Sequence, residues 1–189
     1  MSMESTDLTC NACNLKGSDS VVWGRYIYQF NDVTVDVDRC LGWCAECNDF
    51  SPIEQINPVE THKNLHESIE DLLDLRARSN RLLFGKPSED DIQYCQLSVN
   101  NNASLLTLYA LREDPVKCLN CGSTEVTKFE ANIEFDYENG MLSGEKSTGF
   151  IHPRCGGEFI ATPSGMRIHL IMLVNVYDVN GNKVDQYEE

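Results

Sequence analysis

Alternating and clustered apolar positions set the first boundaries. Near the N-terminus, "SVVWGRYIYQF" over 20–30 is rich in β-branched and aromatic residues, "ND" offers a turn, and "VTVDV" over 33–37 alternates strictly. That is a β-hairpin pattern. A second one begins with "VTKFEANIEFDY" at 126–137, turns at "ENG", and returns through a shorter segment containing Gly and Ser.

Between them the period changes. In "NPVETHKNLHESIEDLLDLRARSNRLLFG", Leu65, Ile69, Leu72, Leu73, Arg76 and Leu83 fall on one helical stripe. Asn57 can cap this helix, Pro58 suits its first position, and Glu60 completes a capping box. Gly85 and Pro87 mark its end, and acidic residues precede the basic "RARSNR", as the helix dipole favours. Residues 88–112 are read as a short helix capped around Ser88 and Asp91, a break at Asn100–Asn102, and then a helix or a strand. Beyond residue 155 the pattern returns to strands. "TPSG" and "NG" act as turns, and an apolar central strand spans roughly 167–177 around Leu170 to Val174.

The cysteines add the chemistry. Cys10-x2-Cys13 is followed after thirty residues by Cys44-x2-Cys47, and Cys118-x2-Cys121 after thirty residues by His152-x2-Cys155. Adding 108 to the first four positions gives the second four, and Asn31 in the first turn maps onto Asn139 in the second. Two ligands three apart on a tight turn can face one ion, and thiolate with imidazole is the donor set of structural zinc. Gly or Asn behind the second ligand lets backbone N–H groups approach the sulfurs. Knuckle, hairpin, knuckle resembles the zinc-ribbon group of folds over about 47 residues per unit. The resemblance implies two Zn2+ ions per chain: one on Cys10, Cys13, Cys44 and Cys47, the other on Cys118, Cys121, His152 and Cys155.

The expected fold is therefore α+β. A zinc-ribbon-like unit over 1–56 and another over 113–189, extended by a small antiparallel sheet, are joined by a helical region over 57–112. Cys40 and Cys95 are left over. "CLGWCAEC" with "GGE" at 156–158 resembles the cluster motif of radical-SAM enzymes, but the chain is short for that barrel and lacks its βα alternation. His62-x3-His66 lacks the glutamate of a metalloprotease helix and reads as two exposed histidines.

Net charge is −15 over 189 residues with no basic block, which argues against nucleic-acid binding. Two zinc-thiolate sites would lower it further, to about −18. The first residues show no secretory signal, and reduced thiols suit an intracellular, cytoplasmic chain. The expectation is a protein-interaction or scaffold module with structural zinc, without catalysis. Its partner is another protein or a second copy, bound through the 58–84 helix or the C-terminal sheet. A nucleic-acid-binding ribbon is the alternative. So is a zinc enzyme with an open second site and Glu145 or Glu158 as base.

Overall fold

The computed structural model describes residues 2–81, 86–131, 133–138, 141–169 and 173–188. The architecture is α+β. In chain order the elements are β1 (Ser2–Cys10), β2 (Lys16–Ser18), β3 (Arg25–Phe30), β4 (Val33–Asp36), β5 (Arg39–Cys44), β6 (Asp49–Glu54), α1 (Pro58–Arg81), α2 (Glu89–Leu111), β7 (Val126–Lys128), β8 (Asp136–Glu138), β9 (Met141–Ser143), β10 (Lys146–Ile151), β11 (Glu158–His169), β12 (Leu173–Tyr177) and β13 (Lys183–Glu188).

The strands do not segregate into an N-terminal and a C-terminal unit. One sheet runs β10-β11-β1-β2, a second β13-β12-β3-β4 and a third β6-β5-β7, beside the separate β8–β9 pair. In each of the three sheets, strands from before the helices lie against strands from after them. β1 pairs antiparallel with β11, β5 pairs antiparallel with β7, and β3 pairs parallel with β12. Residues 1–56 and 113–189 are thus interleaved, and the expected C-terminal extension is a mixed sheet whose β12 is clamped between β13 and β3. The reason is burial. Val174, Asn175, Val176 and Tyr177 are all buried, and a strand covered on both faces needs neighbours on both edges.

The β3–β4 hairpin forms as its pattern predicts. Asn31 and Asp32 both adopt positive φ (46° and 62°), the mirror-image turn that matches strand twist. "TPSG" is not a turn. It lies inside β11, where residues 164–166 stand opposite the single Ser5 of β1 in a bulge that lets the strand run on. The second hairpin's expected turn at Asn139–Gly140 lies outside the described residues. So do Leu83, Gly85 and Leu170.

α1 starts where the sequence says: Asn57 Oδ1 accepts from the Glu60 N–H at 3.2 Å. α2 is one helix of 23 residues that passes through Asn100–Asn102. Ser88 and Asp91 form a reciprocal capping box at its start. The asparagines stay helical because their side chains are used locally. Asn102 Nδ2 donates to Ser98 O at 2.9 Å, and Asn100 Oδ1 accepts from Gln96 at 3.1 Å. Burial of Leu105 and Leu108 against Tyr28 and Val35 fixes the rest. α1 packs on α2 through Ser68–Ser98 and Arg76–Gln96 bonds, with Leu72 buried while Ile69 and Leu73 remain exposed.

Two cores result. One joins sheet β13-β12-β3-β4 to α2 through Tyr26, Tyr28, Val35, Val37, Leu105, Leu108, Leu119 and Tyr177. The other is aromatic, with Trp43, Phe50 and Phe159 buried and Phe129 and Phe150 packed on them. No described helix is long and apolar enough to cross a membrane.

Candidate metal centres

All four knuckles share one local geometry. In three of them the N–H of the first ligand bonds the carbonyl five residues on: Cys10 to Leu15 at 2.9 Å, Cys118 to Ser123 at 2.8 Å, and His152 to Gly157 at 2.7 Å. In the remaining knuckle Cys44 faces Asp49 across the β5–β6 pair. The residue behind each second ligand takes positive φ: Asn14 58°, Asn48 51°, Gly122 77° and Gly156 72°. The two asparagines therefore do what the two glycines do.

The knuckles associate in a nested order, first with fourth and second with third. Cys10, Cys13, His152 and Cys155 form an outer cluster, and Cys44, Cys47, Cys118 and Cys121 an inner one. This corrects the sequence grouping, which paired first with second and third with fourth. All eight residues expected as ligands lie in the two clusters, in different company. The pairing follows from the sheets. Cys10 lies opposite Phe159 at the end of the β1–β11 ladder, which brings the His152 knuckle beside the Cys10 knuckle. The β5–β7 ladder puts Cys44 opposite Val126 and so beside the Cys118 knuckle.

Within each cluster the donor atoms all lie within 4.8 Å of one another. In the outer set, Cys10 Sγ and Cys155 Sγ are 3.4 Å apart, and His152 Nδ1 lies 3.3 Å from Cys13 Sγ and 3.0 Å from Cys155 Sγ. In the inner set, Cys44–Cys121 and Cys47–Cys118 sulfurs are 3.5 and 3.8 Å apart. A zinc–sulfur bond of about 2.3 Å implies a tetrahedron edge of about 3.8 Å, so both sets are close to the size that zinc requires. The donors fit a thiophilic divalent ion.

The surroundings differ. His152 is 3% exposed, its ring centroid 4.9 Å from that of Trp43 and 5.3 Å from that of Phe159. Its Nδ1 faces the sulfurs, while Nε2 is buried without a hydrogen-bond partner against these rings. Behind this cluster, a Cβ on Gly157 would meet Ala12 Cβ at 2.5 Å and Cys10 Sγ at 2.8 Å, so only glycine lets the two knuckles close. The inner cluster is backed by polar groups. Lys117, just before Cys118, donates its backbone N–H to the buried Glu54 carboxylate at 2.7 Å. Glu54 also accepts from Tyr28 Oη at 2.8 Å and from both terminal nitrogens of buried Arg112. Tyr177 Oη donates to Leu119 O at 2.8 Å.

Burial opposes ionisation of Cys10. Backbone N–H groups of Ala12 and Cys13, with Cys155 and His152, nonetheless bring its pKa down to about 6. Burial pushes Cys44 and Cys47 up, with the neighbouring thiols adding to it. At Cys121 burial is again the largest single influence, but the Ser123 N–H together with the Cys47, Cys44 and Cys118 thiols lowers it on balance. Such thiols ionise on binding a metal, so uptake releases protons.

The remaining candidates stand apart. Cys40 on β5 and Cys95 on α2 are half-buried and belong to neither cluster, and the Cys40 thiol is pushed up by burial. His62 and His66 are exposed on α1, with His66 Nδ1 3.7 Å from Glu70. Glu158 is bound by the Ser147 hydroxyl and the Gly149 N–H, which hold its carboxyl below the usual range. Glu145 is exposed. The Glu54–Arg112 pair escaped sequence reading, because neither residue carries a motif and they are 58 positions apart. Compared with known proteins, the chain matches no family model, no curated protein and no solved structure.

Proposed function

We propose that this chain is a zinc-binding protein, related in plan to the zinc ribbons, whose two metal sites are structural and whose work is protein interaction or scaffolding through an acidic surface. The observation that carries this reading is closure. Each cluster brings four soft donors together, and His152 Nδ1 completes the outer set where an open catalytic site would leave room for water. Zinc supplies four bonds that tie distant strands together. Cys10 and Cys155 are 145 residues apart, and Cys44 and Cys121 are 77 apart. The residues themselves orient the donors, neutralise their charge through backbone N–H groups and shield them with the two cores. A net charge of −15 suits a basic protein partner and disfavours phosphate backbones, and the reduced thiols suit the cytoplasm.

Native mass spectrometry with elemental analysis tests the metal assignment. Two zinc ions per chain are expected. One ion, or iron with visible colour, would overturn it. Salt-sensitive retention on immobilised nucleic acid would overturn the preference for a protein partner.

A further inference from the structure

The helix stripe that seals one core continues past the edge of its sheet. Leu105 and Leu108 on α2 are buried against Tyr28 and Val35. One, two and three turns back from Leu105, at helical spacing, the same stripe carries Asn101, Leu97 and Tyr94. Leu97 is 58% exposed and Tyr94 75%. They overhang β4, an edge strand of its sheet, and between helix and strand lies a trough of about 590 Å³.

The floor of that trough is backbone with unused hydrogen-bonding direction. The Val37 N–H donates to Tyr26 O at 2.8 Å, and β4 pairs Val35 with Tyr28 and Val33 with Phe30. The odd-numbered residues therefore turn their amide groups toward β3, and Thr34 and Asp36 turn theirs outward. Thr34, Asp36, Tyr94 and Leu97 all line the trough.

We propose that this groove accepts an extended segment of a basic partner protein as a fifth strand beside β4. This names the surface and the partner class for the interaction reading above, on which it rests. One face of the added strand would continue the Val35 side of the sheet and meet Tyr94 and Leu97, so its residues there are apolar. Its other face lies beside exposed Thr34 and Asp36, and its residues there are Lys or Arg. The charge balance agrees. α2 carries Glu89, Asp90 and Asp91 in its first turn and no Lys or Arg over 89–111, and Asp32 sits at the hairpin tip. Arg25, the cation lining the groove, is 3.6 Å from Asp36. Strand addition supplies affinity through main-chain bonds and selectivity through alternate side chains.

The test uses the full metal-loaded chain and a blocked octapeptide of alternating lysine and valine, with an alternating glutamate–valine peptide as counterpart. The lysine peptide is expected to bind, more weakly as salt rises, and to slow amide exchange at Thr34 and Asp36 at least tenfold. Tyr94→Ala/Leu97→Ala, both exposed, is expected to weaken binding tenfold or more with metal content unchanged. Thr34→Pro removes one outward N–H and is expected to do the same. Equal binding of both peptides, no binding, or protection at β13 instead overturns the proposal. A dimer that Thr34→Pro dissolves would make a second copy the occupant and also overturn it. A protein partner held equally by wild type and the double variant would overturn the groove and leave the interaction reading standing.

Discussion

The outer and inner clusters are built from the same turn and anchored by opposite kinds of chemistry. At the outer site the imidazole of His152 is part of an aromatic core with Trp43 and Phe159, so the contacts behind the ligand are apolar, while Asn11 exchanges hydrogen bonds with Glu158 between the two knuckles. At the inner site the knuckle is tied down by a buried ion pair, a backbone N–H and two tyrosine hydroxyls. Loop length does not explain the contrast. Closing 145 residues rather than 77 costs only about 0.6 kcal/mol more. The knuckle is a local device that brings donors to a point, and whatever lies behind it is free to be dry or polar. The two sites should therefore fail under different perturbations.

The largest effect should come from removing metal altogether. Structural zinc contributes on the order of 10 kcal/mol of folding free energy per site, so a strong chelator is expected to abolish the near-ultraviolet dichroism of the aromatic core. Retention of that signal would mean that the sheets stand without metal.

Next come the anchors. Arg112→Ala strands the buried Glu54 carboxylate and should cost about 3–5 kcal/mol. Phe159→Ala opens the aromatic core and should cost about the same. The comparison is sharpened by metal content during mild chelation. Arg112→Ala should lose the inner ion first, and Phe159→Ala the outer one. The same order in both variants would show that the sites are one cooperative unit.

Gly157→Ala, which places a methyl against Cys10 Sγ and Ala12, should cost about 1–3 kcal/mol and loosen the outer site alone. Metal loss from the inner site in this variant would contradict the separation.

The smallest effect is on pH. Burial, reinforced by Glu54, raises the Tyr28 phenol above its ordinary value. A raised folded-state pKa means that its contribution is fully present below about pH 10 and is lost as pH climbs beyond that. Urea unfolding at pH 9 and pH 11 should show a fall in stability that Tyr28→Phe reduces. Tyr28→Phe itself should cost about 1 kcal/mol at neutral pH, for the lost hydrogen bond to Glu54.

What could be read in the sequence was local. The hairpin at Asn31–Asp32, the α1 cap at Asn57, the α2 capping box and the left-handed Asn14 and Asn48 all follow from short-range sterics and hydrogen bonding. The eight cluster residues were legible for the same reason, because each pair is set by its own turn. Their partnership was not, because four knuckles can be joined two by two in three ways and spacing does not choose among them. The choice is made by which strands pair, and β1 with β11 is a contact across most of the chain. One signal did bear on it. Cys155 is backed by two glycines where Cys121 has one, and the second, Gly157, is demanded by contact with the Cys10 knuckle. The Asn100–Asn102 run misled because a turn-prone triplet yields to a helix whose next turn is buried.

The nested order has a consequence for the growing chain. On the ribosome the first four thiolates of the two clusters to emerge are Cys10, Cys13, Cys44 and Cys47, a complete tetrahedral set that belongs to neither native site. The inner site can assemble only once Cys121 has emerged, and the outer one must wait for Cys155. Until then an early ion has a wrong home available and no right one. An ion captured by that early set would have to be surrendered or shared before the native pairing could form, and the supply of free metal during synthesis would then bear on which fold is reached.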